Sequence, residues 1–345
     1  MGDGTLYFTA NMGSTWSAAT MPPYFSGRSI EELVTDVAAL GQSDLWVGVG
    51  DVIGAVPLTQ SINGSVREDG VIRSTDGGTT WSFVELPGCL QSCSGISLSF
   101  VDALHGFATG GSSQSAQTTL FATGDGGITW QPVSLLPDDA DGAQITFTSL
   151  EDGWAVTDPN DFSEELAAAG NSLLHTTNGG LTWQTIPGLP HDSLYGLPTF
   201  FGTEDGVVLR YGPTPTVFTT SDGGVTWEPH ALPLSEHVPV ATHGEYQLVA
   251  PLSEYQPIPF SAPTVTTWFA LAPTGLVETT DAGAHWQRVT TQIASDTDTS
   301  QQSLLFFSKT NGWALNPPPG CLSGGCETEL LGTNDGGRKW TAIAP

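Results

Sequence analysis

STDGGTTW, the stretch from Ser74 to Trp81, recurs in six further copies along the 345-residue chain. Every copy ends on Trp, and most carry Asp-Gly-Gly or Asn-Gly-Gly in the middle. A stretch that recurs in this way along a chain indicates one structural unit built many times over. The further copies are TANMGSTW at 9–16, TGDGGITW at 123–130, TTNGGLTW at 176–183, TSDGGVTW at 220–227, TTDAGAHW at 279–286 and TNDGGRKW at 333–340.

This repeated box is predicted to be a β-hairpin turn followed by an anchor. The Asp or Asn at its third position can accept hydrogen bonds from backbone N–H groups of its own turn. The glycines that follow supply positive φ without a Cβ clash, and the closing Trp is a large apolar anchor. Seven copies of one chemistry favour a structural role over metal binding or acid catalysis. The structural residues predicted in this way are Asp76, Asp125, Asn178, Asp222, Asp281, Asp335, Trp16, Trp81, Trp130, Trp183, Trp227, Trp286 and Trp340.

A second element recurs between the boxes and consists of an aromatic residue, a polar turn, Gly and an apolar run. Successive box tryptophans are 44 to 65 residues apart. Each interval therefore divides into strand A, a tight turn, strand B, a variable loop, strand C, the box and strand D. Four strands per repeat are typical of a propeller blade. The clearest copies are FVDALHGFA (100–108), FTSLEDGWAV (147–156), FGTEDGVVL (201–209) and FSKTNGWAL (307–315).

The repeats predict an all-β fold, a single β-propeller of four-stranded blades that spans residues 1–345. Strands A and B of the first blade have no counterpart in the sequence, so seven blades with one incomplete are favoured, with six as the alternative. Ser29–Glu32 could cap a helix, although the following LVTDVAAL could equally be a strand A. The predicted units are a half blade at 1–20 and blades at about 21–81, 82–130, 131–183, 184–227, 228–286 and 287–345.

The box resembles the Asp-box, or BNR, repeat of sialidases and related propellers. Its coupling to a D-x-x-x-GWAV-like element is most similar to the photosystem II assembly-factor-like propellers of bacteria, and the resemblance covers almost the whole chain. It implies a propeller fold and a binding role. The same fold carries unrelated activities in different proteins, so function has to be argued from the site.

The charge balance limits the partners. The chain carries 36 acidic and 8 basic residues, for a formal net charge of −28. Such a surface repels nucleic acids and anionic membranes.

No run of eighteen apolar residues occurs, so no membrane span is predicted, and no signal peptide follows Met1. We expect an extracellular or cell-envelope protein.

Four cysteines fall in two close pairs, which suggests local disulfides in an oxidising compartment. Four cysteines allow three pairings. Zinc is the alternative, but a C-x3-C and a C-x4-C pair far apart in the chain are poor zinc spacing. The cysteines are Cys89, Cys93, Cys321 and Cys326.

Strand order sets where a ligand is expected. The A–B turns and the boxes project at one end of the blades, while the longer, irregular B–C and D–A loops project at the other. Variable loops on a rigid scaffold usually carry binding. The sequence therefore favours a non-enzymatic module that binds a protein segment or a glycan at the B–C and D–A end. The arginines expected there are Arg28, Arg67 and Arg210.

The alternative function is a glycan-active enzyme, a two-carboxylate glycosidase or a lyase. Asp158, Asp161, Glu164 and Glu165 form a dense acidic cluster, although a solvated face of a short helix at 160–170 is the favoured explanation for them. The sialidase resemblance implies three arginines, a Tyr–Glu pair and an Asp acid, but the F-R-I-P-like segment of that family is absent. The candidate catalytic residues are Asp158, Glu164, Glu165, Arg210 and Tyr211.

Metal-binding signals are weak. Residues 138–142 (DDADG) and 296–300 (DTDTS) resemble fragments of a calcium loop, but neither completes the twelve-residue pattern. Four histidines of neighbouring D–A loops lack ligand spacing on any one element. We therefore predict no cofactor and no metal, with calcium as the remaining alternative. The histidines are His191, His230, His237 and His243.

Overall fold

The protein is described here by a computed structural model that divides into two compact units, Met1–Ile186 (with Pro345) and Pro187–Ala344. The structure describes residues 7–9, 11, 13, 15–18, 34–41, 43–50, 70–88, 93–112, 117–137, 143–157, 173–186, 188–190, 195–211, 214–232, 258–272, 275–293, 302–316 and 329–343.

The first unit holds one two-stranded sheet and three larger antiparallel sheets, which we call blades 1 to 3. In blade 2, β7 and β8 both pair with β9 and share the place of strand A. The two-stranded sheet is β1 (Tyr7–Phe8) and β2 (Ser17–Ala18). Blade 1 is β3 (Val34–Leu40), β4 (Asp44–Val49), β5 (Gly70–Ser74) and β6 (Ser82–Glu85); blade 2 is β7 (Cys93–Ser94), β8 (Leu98–Phe100), β9 (Gly106–Ser112), β10 (Gln117–Thr123) and β11 (Gln131–Leu135); blade 3 is β12 (Ala143–Phe147), β13 (Gly153–Thr157), β14 (Leu173–Thr176) and β15 (Gln184–Thr185).

The second unit holds three four-stranded antiparallel sheets, blades 4 to 6, each with its strands in chain order. Blade 4 is β16 (Thr199–Phe200), β17 (Gly206–Arg210), β18 (Thr216–Thr220) and β19 (Glu228–Ala231); blade 5 is β20 (Phe260–Ser261), β21 (Trp268–Ala272), β22 (Gly275–Thr279) and β23 (Gln287–Thr290); blade 6 is β24 (Ser303–Phe306), β25 (Gly312–Asn316), β26 (Glu329–Thr333) and β27 (Thr341–Ala342).

The predicted all-β architecture of four-stranded propeller blades is confirmed. Every regular element in the described residues is a strand, and each blade follows the predicted order A, B, C, box, D. The alternative at 34–40 is decided in favour of a strand, β3. Six complete blades and one two-stranded sheet are described, so the count of seven stays a prediction. The predicted helix at 160–170 lies outside the described residues, and no described helix is long and apolar enough to cross a membrane.

The A–B turn and the box of each blade are joined by a hydrogen bond, and we call the two together the tip of the blade. In blade 2, the N–H of Gly126 donates to the carbonyl of Leu104 at 2.7 Å. The same bond recurs in all six blades, with Ala282 as the donor in blade 5. The tips thus lie at the end opposite the B–C and D–A loops. The tip of blade 2 is residues 101–105 with 123–130. The tip of blade 3 is residues 148–152 with 176–183.

Each box is closed by the hydrogen bonds of its first and third residues. The Thr123 hydroxyl donates to Asp125 Oδ1 (2.8 Å) and accepts from the N–H of Gly127 (2.9 Å). Asp125 in turn accepts from the N–H and the hydroxyl of Thr129 at 2.8 and 2.7 Å. Gly126 and Gly127 have φ of 73° and 87°, as predicted for glycine positions. The structural role predicted for the box Asp therefore agrees with its geometry.

The degraded copy at 9–16 keeps this geometry. Asn11 Oδ1 accepts from the N–H of Thr15 at 2.8 Å, and the N–H of Gly13 donates to the Thr9 hydroxyl at 2.8 Å. The ring of Phe8 on β1 lies where a side chain at Gly78 of the blade 1 box would stand, with 2.6 Å between Phe8 Cε1 and that Cβ position. β1 and β2 pair with each other and approach the blade 1 box through Phe8, and the half blade that the sequence predicted at 1–20 stays a prediction.

Aromatic rings join successive blades. Phe100 of strand A in blade 2 stacks on Trp46 of blade 1 with centroids 3.8 Å apart, and it meets the box residue Trp130 edge-on at 5.9 Å. Trp46 also donates its indole N–H to the carbonyl of Gly126 at 2.8 Å. The same arrangement recurs at Phe107–Phe147–Trp183 and Phe269–Phe306–Trp340. The box residues Trp130 and Trp340 are thus buried in the core, whereas Trp183 is half-buried.

Blade 5 departs from this arrangement because it has a tryptophan at a position where blade 2 has a glycine. Gly106 of blade 2 pairs with the first box residue Thr123, and the residue in that register in blade 5 is Trp268, which pairs with Thr279. Trp268 is fully buried and lies 6.3 Å from the ring of Trp286, the box Trp of its blade. The indole of Trp268 therefore does the packing that a strand A Phe does elsewhere.

Side-chain hydrogen bonds join the A strands of neighbouring blades. Asp36 of β3 accepts from the N–H of Leu98 at 2.8 Å and from the Ser97 hydroxyl at 3.1 Å. Ser99 accepts from the N–H of Phe147 at 2.8 Å. In the second unit Ser261 accepts from the N–H of Phe306 in the same way. These bonds satisfy backbone N–H groups at strand edges that would otherwise be left unpaired.

Candidate binding surface

Most residues predicted for the B–C and D–A end lie outside the described residues, so their roles stay predictions. The same holds for the two calcium-like stretches at 138–142 and 296–300 and for the cysteine side chains, whose pairing is therefore untested. The predicted residues in question are Arg28, Arg67, Asp158, Asp161, Glu164, Glu165, His191, His237, His243, Cys89, Cys93, Cys321 and Cys326.

Arg210 is described, and its side chain is engaged within blade 4. Its Nη2 donates to the carbonyl of Thr214 at 3.0 Å and to the hydroxyl of Thr216 at 2.9 Å. Its Cζ lies 5.8 Å from the ring centroid of Phe218, within the range of a cation–π contact. Its backbone forms a bridge with Tyr195. The guanidinium holds the B–C hairpin of its own blade, and it is half-buried rather than presented freely to solvent.

Tyr211, the other described catalytic candidate, is also engaged in packing. Its ring packs against the core cluster of blades 4 and 5 that contains Val217 and Trp268. A Cβ at Gly196 would lie 2.8 Å from the Tyr211 hydroxyl, so only a glycine leaves room for the phenol. Burial raises the pKa of Tyr211 above its ordinary value of 10.0, which keeps the phenol protonated at neutral pH. A protonated, packed phenol is a poor nucleophile.

His230 is the one histidine of the predicted D–A set that the structure describes, and it too is used locally. Its Nε2 lies 2.9 Å from the Thr219 hydroxyl, and its ring meets Trp268 edge-on at 5.7 Å. Within the described part of the chain, no three His, Cys, Asp or Glu side chains group as metal ligands do.

The box carboxylates are held ionised. The hydroxyl and N–H of Thr129 lower the pKa of Asp125 from 3.8 to about 2. The corresponding hydrogen bonds lower the pKa of Asp76, Asp222 and Asp281 to about 2 as well. A general acid needs a pKa near the working pH. These carboxylates therefore act as hydrogen-bond acceptors and negative charges, not as proton donors at neutral pH.

Comparison with known proteins finds similarity to Ycf48. No family model matches the chain. The photosystem II assembly lipoprotein Ycf48 of Synechococcus sp. (strain CC9902) is 27% identical over 163 residues, which are 45% of this chain and 41% of that protein. The chain is similar to Ycf48. The matched part spans about two fifths of the length of that relative.

Solved structures support the same resemblance at the level of the fold. YCF48 bound to D1 peptide matches with a TM-score of 0.55 and 15% identity, over 90% of this chain and 82% of that chain. YCF48 from Cyanidioschyzon merolae matches with a TM-score of 0.52 and 14% identity, over 90% and 85% of the two chains. The resemblance to photosystem II assembly-factor propellers that the boxes suggested is confirmed.

Proposed function

We propose that this chain is a non-enzymatic binding module of the cell envelope or the extracellular space that holds a polypeptide segment at the B–C and D–A end of its blades. The observation that carries the proposal is the similarity to Ycf48, together with the solved complex of YCF48 with a D1 peptide. A protein segment is therefore preferred to a glycan as the ligand.

The chemistry of the described candidates supports binding rather than catalysis. Arg210 is committed to Thr214 and Thr216 of its own hairpin, and the Tyr211 phenol is protonated and packed. The hydrogen bonds of the box hold the pKa of Asp125 at about 2, well below the working pH of an acid catalyst near neutral pH. In this arrangement the polar groups position turns and loops of their own blades.

Calorimetric titration of the purified chain with the D1 peptide, and with the same residues in scrambled order, tests the proposal. A polysaccharide-hydrolysis screen at pH 4 and pH 7 accompanies it. Saturable binding of a peptide without sugar release is the expected result. Sugar release would overturn the proposal in favour of a glycan-active enzyme. No binding of any peptide in a wider peptide array would overturn the assignment of a polypeptide as the ligand.

Thiol alkylation tests the compartment that we propose. In the chain isolated from its source without reductant, the two close cysteine pairs should resist iodoacetamide and become reactive after reduction. Four thiols that react before reduction would contradict an oxidising location.

A further inference from the structure

Four large aliphatic side chains stand exposed at the tips of blades 2 and 3, at the end of the blades away from the B–C and D–A loops. The exposed fractions are 55% for Leu104, 57% for Ile128, 48% for Leu150 and 64% for Leu181. Each blade contributes one aliphatic from its A–B turn and one from its box. Single exposed aliphatics are ordinary, whereas a group of them at one end of a domain is typical of an interaction site.

The two aliphatics of each tip stand on one hydrogen-bonded frame. The bond from Gly126 to Leu104 links turn and box in blade 2, and a bond from the N–H of Gly179 to the carbonyl of Glu151 (2.8 Å) does so in blade 3. The box part of the frame is fixed further by its Asp or Asn. The aliphatics are therefore presented on ordered backbone, which lowers the entropic cost of binding.

The internal repeats indicate that the box does not need an aliphatic residue at this position. The residue in the place of Ile128 and Leu181 is Thr79 in blade 1, Val225 in blade 4, Ala284 in blade 5 and Arg338 in blade 6. All of these boxes keep the hydrogen bond from the next backbone N–H to the Asp or Asn oxygen. An exposed Ile or Leu there adds nothing to the turn, so its role lies outside the box.

The A–B turns also keep the tip hydrogen bond without needing an aliphatic residue. The carbonyls of Leu104, Glu151, Glu204 and Thr310 accept the same tip hydrogen bond, so these four residues are equivalent. The residues one position earlier are equivalent in the same sense, and Leu150 is the only large aliphatic among them. They are Ala103, Leu150, Thr203 and Lys309.

Negative charge surrounds the aliphatics. In the first unit the structure describes no lysine and one arginine, Arg73, which is half-buried with Nη2 3.2 Å from the Cβ position of Gly126. The His105 ring lies 2.9 Å from a carboxylate oxygen of Asp102. The carboxylates at the two tips are Asp102, Asp125, Glu151 and Asp152.

The two tips belong to neighbouring blades that are packed firmly together. Phe107 of blade 2 stacks on Phe147 of blade 3 at 3.6 Å, and the Ser134 hydroxyl donates to the carbonyl of Gly180 in the blade 3 box at 2.6 Å. These contacts hold the two tips in a fixed position relative to each other.

We propose that the tips of blades 2 and 3 form a second docking surface, for a polypeptide segment that alternates basic and apolar side chains. The carboxylates attract lysine and arginine and set the orientation of the segment. The aliphatics take the apolar side chains between them. Phosphate-rich partners are repelled by the same charge. This surface lies at the opposite end of the blades from the ligand of the proposed function, so either can exist without the other.

The test measures the fluorescence anisotropy of a labelled peptide that alternates lysine and leucine, with the full chain as titrant. One comparison peptide carries glutamate in place of lysine, and another carries glutamine in place of leucine. The test variant combines Leu104→Thr, Ile128→Thr, Leu150→Thr and Leu181→Thr, because Thr occupies an equivalent position in other blades. Val225→Thr, an equally exposed box aliphatic of blade 4, is the matched control.

We expect the lysine–leucine peptide to bind the native chain, and we expect this binding to weaken with added salt. The fourfold variant should bind at least about tenfold more weakly, and Val225→Thr should bind like the native chain. Equal binding by both variants would overturn the proposal, as would equal binding of the lysine–glutamine peptide, since charge alone would then suffice. D1 peptide binding measured in the same variants should be unchanged, which separates this surface from the proposed function.

Discussion

The ring of Phe100 fills the space in which a side chain at Gly106 would stand. A Cβ at residue 106 would lie 2.5 Å from Phe100 Cδ1, closer than real Cβ contacts come. Gly153 and Phe147 stand in the same relation, with 2.5 Å between the same two atoms. The aromatic residue and the glycine of the second repeated element are therefore a steric pair, and the missing side chain lets the ring lie flat between two blades.

Gly106→Ala should destabilise the protein, because the added methyl group must displace a ring that is stacked on Trp46. Overpacking of this kind costs about 1–3 kcal/mol of the free energy of unfolding. Urea denaturation measures the loss. Gly124→Ala is the matched control, since its Cβ would meet only His105 Cδ2 at 3.9 Å. Equal stability of the two variants would refute the steric pairing.

Acid should weaken the boxes through their aspartates. The folded-state pKa of Asp125 lies below its ordinary value of 3.8, at about 2, so the stability it contributes is present above pH 4 and is lost as the pH falls towards 2. Asp76, Asp222 and Asp281 behave alike. Urea midpoints recorded from pH 7 down to pH 2 should therefore hold to about pH 4 and then fall.

Blade 3 supplies the control for this titration, because its box carries Asn178 in place of Asp. Its amide keeps the geometry, with Oδ1 3.0 Å from the N–H of Thr182 and Nδ2 2.8 Å from the Thr182 hydroxyl. Asp125→Asn should fold normally and lose less stability on acidification than the native chain. Asn178→Asp should lose more. If all three proteins lose stability in parallel, the box aspartates do not set the acid response.

Ala282→Gly should stabilise blade 5. Ala282 has φ of 56° where the other complete boxes have glycine, and the left-handed region costs a non-glycine residue about 1–2 kcal/mol. The greater conformational entropy of glycine in the unfolded chain offsets about 0.4–1 kcal/mol of this relief, which leaves a net gain in stability. Ala284→Gly, two residues further along the same box, changes chain entropy alone and should destabilise. A lower melting temperature for Ala282→Gly would contradict the expected relief of strain.

Most of the fold could be predicted from the sequence, because it depends on contacts between residues that are close together in the chain. The side-chain hydrogen bonds of the box, such as those of Asp125 with Thr123 and Thr129, lie within its eight residues, so a short stretch specified them. The pairing of each strand A aromatic residue with its glycine was harder to predict from the sequence. FGTEDG and FSKTNG align on Phe201 and Phe307, whereas the rings above Gly206 and Gly312 belong to the preceding Phe200 and Phe306. That alignment was therefore wrong by one residue, because contact across strands decides it.

The candidate sites depended on contacts between elements, and sequence reasoning reached them less well. Arg210 looked available because it ends strand B, yet Thr214 and Thr216 across the hairpin hold its guanidinium. The exposed aliphatics at the tips were missed altogether. A comparison of Ile128 with Thr79 at the same box position would have revealed them, since a position that tolerates Thr has no structural need for Ile.

Trp227 offers a test of the anchor that closes each box. Its indole N–H donates to the carbonyl of Gly224 at 3.0 Å, and its ring meets Phe200 edge-on with centroids 6.3 Å apart. Trp227→Ala removes both contacts and leaves a gap beside strand A, which should lower the free energy of unfolding by about 3 kcal/mol. Trp227→Phe keeps an apolar ring and loses the hydrogen bond, for a cost nearer 1 kcal/mol. Val225→Ala in the same box alters an exposed side chain and should stay within about 0.5 kcal/mol of the native chain. A Trp227→Ala protein with an unchanged melting temperature would show that the box Trp is not an anchor, and the fold would then depend on the hydrogen bonds of the turn alone.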